Sequence, residues 1–322
     1  MVDLTPANVA VAAEQAAGRV AGLVRKTPLQ YSPQFSDDLG AEIYFKHENL
    51  QHTGSFKLRG AANRLMTMTA SERDNGCVAA SSGNHGAAVA YAMQKLNTRG
   101  VIFVPQQTSS TKVAAIRSYG GTVEYFGTDG LDTEQHARQF AEANGMAYLS
   151  PYNDEQVIAG QGTCGIEIRQ QLPAVDDIFV AVGGGGLISG VASVLKASNP
   201  DIMAYGCQPE ASAVMARSLA AGEILDLPST PTLSDGTAGG IEADSATFPL
   251  CRELVDEFAV VNEDEIAECM RLFIDRQQQL LEGAAGVAIA GMMRHREAIT
   301  GRKVVVVICG GNISRNTLRK VI

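Results

Sequence analysis

The chain has 322 residues, of which 45% are hydrophobic and 19% charged, as in an ordinary globular enzyme with one large or two smaller domains. Its formal net charge is -9 and no run of Lys and Arg opposes that charge, so neither nucleic acid nor an anionic membrane is an expected partner. The sequence shows neither a signal peptide nor an apolar stretch long enough to span a bilayer.

Short β-branched and apolar runs alternate with longer helical patterns along the chain. Strands are predicted at residues 43–46, 77–80, 101–104, 122–126, 178–182, 202–206, 258–261 and 303–309. Helices are predicted between them at residues 86–96, 111–119, 132–144, 187–198 and 263–281. This alternation indicates an α/β protein with mostly parallel sheets. Residues 225–240 contain two prolines and several small polar residues, which predicts a long and potentially functional loop.

The six cysteines and five histidines are scattered through the sequence. No C-x-x-C pair and no H-E-x-x-H spacing occurs, so neither a disulfide framework nor a zinc site is expected. A reducing cytoplasm is the compartment that fits this cysteine pattern best.

Three glycine-rich turns follow predicted strands, with the sequences SSGNHG at 81–86, GGGG at 183–186 and CGGN at 309–312. In open α/β sheets, ligands bind at the carboxyl ends of the strands, where these turns lie. The turn at 183–186, called the four-glycine turn below, opens a helix and exposes backbone N–H groups, which favours a phosphate. The alternative is a tight turn that binds nothing. Neither the dinucleotide fingerprint nor the P-loop pattern is present, so a smaller phosphate-bearing cofactor is favoured.

Lys57 follows Phe56 in the segment QHTGSFKLRGA at 51–61. We expect Thr53 and Ser55 to cap the helix that follows, which would place Lys57 near a helix start. A lysine in surroundings of low polarity can have its pKa lowered from about 10.4 toward neutrality and can then form a Schiff base. The alternative for Lys57 is an ordinary solvated helix residue.

Together these segments resemble the threonine/serine dehydratase and serine racemase family of pyridoxal-phosphate enzymes. The segments SFKLRGA, SSGNHG, GGGGL and CGGN occur in the family's order and spacing, with further similarity in VIAGQGT at 157–163, LSDG at 233–236 and EGAAG at 282–286. The resemblance covers essentially the whole chain and implies fold type II, with two open, twisted, mostly parallel sheets flanked by helices. It also implies a large cofactor-binding domain of residues 1–66 and 148–322, a small inserted domain of residues 67–147, and a homodimer.

The resemblance implies a role for each matching residue around the cofactor ring. Lys57 would hold pyridoxal 5'-phosphate as a Schiff base and move the α-proton, while Phe56 would pack on the ring. Asn84 would bind the ring hydroxyl, and Glu282 would lie close to the ring. Cys309 would face the pyridine nitrogen, and as a neutral thiol it would leave that nitrogen largely unprotonated, which favours loss of a β-substituent.

Other residues would bind the phosphate and the substrate. The resemblance places the phosphate on the backbone N–H groups of Gly183, Gly184, Gly185, Gly186 and Leu187. It assigns substrate binding to Ser81, Ser82, Gly83, Asn84, His85 and Gly236. The loops at 150–154 and 234–240 would read the β-substituent of the substrate.

The implied activity is that of a dehydratase, or ammonia-lyase, which converts serine, threonine or 3-hydroxyaspartate to a 2-oxo acid and ammonia. The alternative is an amino-acid racemase that uses Lys57 and Ser82 as bases on opposite faces of the cofactor. The hydroxyl of Ser82 could equally do no more than orient the substrate carboxylate. A nucleotide-dependent oxidoreductase is disfavoured by the missing dinucleotide fingerprint.

No metal site is predicted, although several relatives bind a divalent cation through an acidic segment after the strand at 202–206. Here Gln208 and Val214 stand where carboxylates are expected, and hard cations need anionic oxygen ligands. Glu210 could serve a shifted site, but a solvated side chain is the expectation.

Overall fold

The computed structural model describes residues 4–322. The strands are β1 Leu29–Tyr31, β2 Glu42–His47, β3 Cys77–Ala80, β4 Gly100–Val104, β5 Thr122–Tyr125, β6 Ala147–Tyr148, β7 Asp177–Ala181, β8 Met203–Pro209, β9 Glu257–Val261 and β10 Lys303–Ile308. The helices are α1 Pro6–Val20, α2 Pro33–Leu39, α3 Lys57–Met66, α4 Ala70–Asn75, α5 Asn84–Leu96, α6 Ser110–Ser118, α7 Gly130–Ala143, α8 Glu155–Gln171, α9 Gly186–Ser198, α10 Val214–Ala221, α11 Thr247–Leu254, α12 Glu263–Gln277, α13 Gly283–Arg294 and α14 Arg315–Val321.

The strands form two sheets, as expected for this α/β fold. The larger sheet has the strand order β1-β2-β10-β7-β8-β9 and is parallel except for β1, which pairs antiparallel with β2. The smaller sheet has the order β5-β4-β3-β6 and is entirely parallel. The central strand β10 reads KVVVVI and is almost completely buried, as expected for a strand covered on both faces.

Helix α3 lies between the two sheets and carries Lys57 at its first position. One side of α3 packs against α8, and another packs against α5, which follows the small-sheet strand β3. Leu58, Ala61 and Leu65 of α3 belong to the apolar core of the small sheet. The domain boundaries at 66/67 and 147/148 therefore stay a prediction, because α3 shares its core with the smaller sheet.

Two sequence-based predictions about helix ends are wrong. Helix α12 ends at Gln277 rather than at residue 281, because Gln278 adopts a left-handed backbone conformation with φ 55°. Thr53 and Ser55 do not cap α3, and their hydroxyls are buried without a hydrogen-bond partner. The backbone before α3 instead pairs with the CGGN turn, where Phe56 N donates to Cys309 O at 3.0 Å.

The predicted loop is confirmed, since residues 222–246 between α10 and α11 form neither helix nor strand. All six cysteines are buried and free. Within residues 4–322, no helix combines the length and apolarity needed to cross a membrane.

A buried cluster of charges anchors the start of α3. Arg59 is fully buried and forms two hydrogen bonds of 2.7 Å with Glu48 and one of 2.7 Å with Glu167. Lys46 donates to the same Glu167 carboxylate at 2.6 Å. Although burial opposes ionisation, Arg59 holds the pKa of Glu48 below its usual value. Every charge in this cluster is paired, which makes its burial tolerable.

We expect Arg59→Ala to lower the free energy of unfolding by about 3–5 kcal/mol, because Glu48 would stay buried without its cation. Urea denaturation of wild type and variant measures this loss. The matched control is Arg169→Ala, which removes a surface ion pair with Glu14 and should cost about 0–1 kcal/mol. Equal, small losses in both variants would show that the cluster does not stabilise the fold.

Candidate active site

Two of the three glycine-rich turns, those after β3 and β10, meet around one buried carboxyl group, that of Glu282. Asn84, after β3, donates from Nδ2 to both oxygens of Glu282 at 3.0 and 2.8 Å. Asn312, after β10, donates to Asn84 Oδ1 at 2.7 Å. A Cβ on Gly236 would lie 3.7 Å from Glu282 Oε1, so the loop that carries Gly236 also closes on this carboxyl.

The amine of Lys57 lies at the edge of the same region. Its Nζ donates to Pro151 O at 2.9 Å and lies 5.1 Å from the centroid of the Phe56 ring. Burial lowers the pKa of Lys57 to about 8, although Cys309 and Glu282 oppose this shift. About a tenth of this amine is therefore neutral and nucleophilic at pH 7, far more than for an ordinary lysine.

Glu282 is a buried carboxyl group without a cationic partner among the described residues. Besides the amide of Asn84, it contacts the thiol of Cys309, with 3.8 Å between Sγ and Oε1. A Cβ on Gly310 would lie 2.6 Å from three atoms of the carboxyl, so only glycine allows this approach. Burial raises the pKa of Glu282 to about 7, although the hydrogen bond from Asn84 opposes the shift.

Cys309 and His85 are neutral. Burial, followed by the nearby Glu282 carboxyl, raises the pKa of the Cys309 thiol well above its usual value. Burial, followed by the charge of Lys57, lowers the pKa of His85 to about 3. The His85 ring is buried, with Nε2 2.9 Å from Leu149 O, so this nitrogen is engaged by the backbone after β6. The backbone N–H of His85 is free of any partner within the described chain.

The SSGNHG turn offers several free polar groups. Ser81 Oγ accepts from Gly83 N at 3.2 Å and so shapes its own turn. The hydroxyl of Ser82 forms no hydrogen bond within the described chain, and the backbone N–H groups of Ser82, Asn84 and His85 are free as well. This set of donors at the start of α5 suits a small anion such as a carboxylate.

Contacts within the protein, as well as access for a ligand, explain why glycine stands at each position of the four-glycine turn. A Cβ on Gly184 would overlap the ring of Tyr152, and one on Gly186 would lie 3.0 Å from Tyr152 Cβ. Gly185 has φ +85°, and a Cβ on Gly183 would lie 3.1 Å from Thr237 Cα. Tyr152 and Thr237 therefore form walls around this turn.

The backbone N–H groups of the four-glycine turn point to an anion site. Within residues 4–322, no acceptor receives a hydrogen bond from the N–H groups of Gly183, Gly184, Gly185, Gly186 and Leu187. They lie at the N-terminus of α9, whose dipole adds a partial positive charge. Free donors at a largely buried helix start need an acceptor, and a phosphate meets that need.

The sequence reasoning assigned no contact to Pro151, Tyr152 or Thr237, although it proposed that their loops read the substrate. Pro151 and Tyr152 lie between β6 and α8, and Asp154 caps α8 by accepting from the N–H groups of Gln156 and Val157. That cap places the turn at the carboxyl end of a parallel strand, where ligands bind. Tyr152 and Thr237 lie against the four-glycine turn because of tertiary packing, which no local sequence pattern encodes.

The segment around Gln208, in which no metal site is predicted, has a structural role. Gln208 is buried, donates to Val182 O at 3.0 Å and accepts from Ala216 N at 2.7 Å. A carboxylate at this position could not donate the first of these bonds. Glu210 is exposed, and the part of the chain that the structure describes holds no group of three or more metal-binding side chains of the His, Cys, Asp and Glu types.

The chain resembles proteins of one family along most of its length. Residues 20–310 match the family described as pyridoxal-phosphate dependent enzyme. An L-threonine ammonia-lyase of Thermotoga maritima is 40% identical over 300 residues, which cover 93% of this chain and 74% of that protein. An L-threo-3-hydroxyaspartate ammonia-lyase of Saccharomyces cerevisiae is 36% identical over 298 residues, which cover 92% of this chain and 91% of that protein.

The fold is similar to that of a maize serine racemase, with a TM-score of 0.91. That similarity covers 97% of this chain and 95% of the other, at 32% sequence identity.

We expect Gly184→Ala to weaken phosphate binding at the four-glycine turn, because its Cβ would displace the Tyr152 ring that walls the turn. A loss of about tenfold or more in affinity would match the loss of one or two charge-assisted hydrogen bonds. Titration of the purified protein with pyridoxal 5'-phosphate, followed by absorbance, measures the affinity. Gly18→Ala, on α1 where an added Cβ meets nothing within 4 Å, controls for general effects of glycine replacement. An unchanged affinity in the Gly184 variant would contradict the role given to Tyr152.

Proposed function

The chain belongs to the family of pyridoxal-phosphate dependent enzymes, and on this basis we propose that it is an ammonia-lyase for a small β-hydroxy amino acid. The substrates in view are serine, threonine and 3-hydroxyaspartate, and the products are a 2-oxo acid and ammonia. The observation that carries the proposal is the buried amine of Lys57, which donates to Pro151 O in the turn at 151–153, while Tyr152 of the same turn walls the four-glycine turn.

The residues present fit pyridoxal 5'-phosphate. The free N–H groups of the four-glycine turn and Leu187 match its phosphate, and the Lys57 amine matches its aldehyde. Phe56 would pack on the ring, and Asn84 would turn its amide toward the ring hydroxyl. When bound, the cofactor supplies the electron sink that makes the α-proton of an amino acid labile.

Lys57 would act as both the attachment point and the proton carrier. Its pKa of about 8 lets the amine accept the α-proton and then give it up again near neutral pH. Hydroxide leaves only when protonated, and the ammonium form of Lys57 can deliver the proton so that water departs. The remaining unsaturated amine is hydrolysed by water to the 2-oxo acid and ammonia.

The groups beside Lys57 favour elimination. The neutral Cys309 thiol can donate a weak hydrogen bond to the pyridine nitrogen without protonating it. Glu282 would lie at the ring edge and hold Asn84 in place. Substrate would bind through its carboxylate to the free N–H groups of Ser82, Asn84 and His85, near Gly236.

A second candidate is an amino-acid racemase, which the similarity to the maize serine racemase and the unpaired hydroxyl of Ser82 support. Ser82 would then exchange a proton on the face of the substrate opposite Lys57. The ammonia-lyase is favoured because both curated relatives described above are named ammonia-lyases.

The compartment and the assembly are also part of the proposal. Six free, buried cysteines suit a reducing cytoplasm. A homodimer is expected from the family resemblance, and size-exclusion chromatography with light scattering tests it.

We expect Lys57→Ala to abolish 2-oxo acid formation, because the variant lacks the amine that binds the cofactor and moves the proton. The wild-type protein is incubated with L- and D-serine, threonine and 3-hydroxyaspartate, and 2-oxo acid and enantiomer are both quantified. Lys196→Ala, which removes a surface lysine paired with Asp256, is the matched control and should retain activity. Activity in the Lys57 variant would refute the assignment, and formation of enantiomer without 2-oxo acid would favour the racemase.

The rate of covalent cofactor capture by the cofactor-free protein should rise with pH through a midpoint near pH 8 and level off above about pH 9. The neutral amine is the nucleophile, so the rate follows the deprotonated fraction of a group with a pKa of about 8. Stopped-flow absorbance between pH 6 and pH 10 gives the midpoint. A rate still rising steeply between pH 9 and pH 10 would show that the pKa of Lys57 is not depressed.

A further inference from the structure

Glu242 lies in the coil between α10 and α11 and bridges two distant parts of the chain. Its Oε2 lies 2.8 Å from Nη2 of Arg138 and accepts from Asn153 Nδ2 at 2.9 Å. Arg138 belongs to α7, which packs against the small sheet, whereas Asn153 belongs to the 151–153 turn beside Lys57. One carboxylate therefore connects a helix of the small sheet to the wall of the candidate active site.

The coil around Glu242 holds the 151–153 turn by further hydrogen bonds. Glu242 N donates to the hydroxyl of Tyr152 at 2.9 Å, and Ala246 N donates to Asn153 Oδ1 at 2.9 Å. The side chains of Tyr152 and Asn153 are therefore both bound to the coil at residues 242–246. The coil has no secondary structure of its own, so these bonds set the relative position of the two segments.

The 151–153 turn in turn contacts both parts of the proposed cofactor site. Pro151 O accepts from Lys57 Nζ, while the Tyr152 ring lies against Gly184 and the Tyr152 Cβ against Gly186. A shift of this turn would move the acceptor of the amine and the wall of the four-glycine turn together.

Arg138 is held in position for this contact. Its guanidinium lies 4.2 Å from the centroid of the Tyr148 ring and forms hydrogen bonds of 3.1 and 2.8 Å with Glu134. The Arg138 side chain is 40% exposed and that of Glu242 21%, so the pair should contribute little to global stability. Its effect should therefore appear in the geometry of the site rather than in the unfolding free energy.

We propose that Glu242 is a positioning residue, which links α7 to the 151–153 turn and thereby sets the Lys57 amine and the four-glycine turn for the cofactor. The inference rests on the proposed function only through the identity of that cofactor. Arg138 supplies the connection to the small sheet, and Asn153 and Tyr152 transmit it to the site.

Cofactor affinity of the cofactor-free protein, titrated with pyridoxal 5'-phosphate, tests the proposal. Glu242→Ala should raise Kd about tenfold, the effect of losing roughly one hydrogen bond's free energy, and Arg138→Ala should raise it about threefold. Glu242→Gln keeps an acceptor for Asn153 and should recover most of the affinity. Glu14→Ala, which removes the carboxylate of a surface ion pair with Arg169 outside this network, is the matched control and should bind like wild type. The melting temperatures of these variants should stay close to that of wild type.

The double variant Arg138→Ala/Glu242→Ala tests whether the two residues act through their contact with each other. If the pair acts as one connection, the double variant should bind no more weakly than Glu242→Ala alone. Additive losses, or wild-type affinity in Glu242→Ala, would overturn the proposal. Should Glu242→Ala fail to fold, Tyr152→Phe keeps the ring but loses the acceptor of Glu242 N, and wild-type affinity there would overturn it equally.

The two proposals fail in different ways. A wild-type protein that binds the cofactor but forms no 2-oxo acid would refute the ammonia-lyase and leave the role of Glu242 intact. Normal ammonia-lyase activity of the wild-type protein, together with wild-type cofactor affinity in Glu242→Ala, would refute the role of Glu242 and leave the ammonia-lyase intact.

Discussion

The position of α3 between the two sheets is the constraint on which the rest of the site depends. Its first residue is Lys57, and two residues later Arg59 is fixed by Glu48 and Glu167 in a fully paired, buried cluster. Because a buried guanidinium cannot move away from its carboxylates without a large electrostatic cost, the start of the helix cannot move either. The amine of Lys57 is thereby held against Pro151 O, in the turn whose Tyr152 walls the four-glycine turn.

The electrostatics around the Lys57 amine follow from burial more than from ion pairing. Lys57 and Glu282 carry opposite charges when ionised, yet burial shifts the pKa of each toward the neutral form, to about 8 and about 7. Cys309 is a neutral thiol for the same reason. A site with few fixed charges and several free N–H donors suits a reaction in which one amine takes up a proton and passes it to the leaving group.

In the candidate active site, the backbone supplies the free N–H donors and side chains support the segments that carry them. The four-glycine turn offers N–H groups, and its missing side chains make room for Tyr152 and Thr237. Glu242 then connects Tyr152 and Asn153 to Arg138 on α7. The long coil between α10 and α11 is therefore part of the site's support, in addition to carrying Gly236.

The family resemblance singled out Lys57, while the sequence by itself determined the alternation of strands and helices and the three glycine-rich turns. Those features are local, since periodicity, turn residues and strand ends can be read from neighbours in the chain. Only the tertiary structure decided that Thr53 and Ser55 leave α3 uncapped and that the His85 ring faces Leu149. The hydrogen bond from Asn153 to Glu242 also follows from the tertiary structure alone, because the two residues are 89 positions apart in the sequence. Contacts of that kind depend on how elements pack, and no short pattern encodes them.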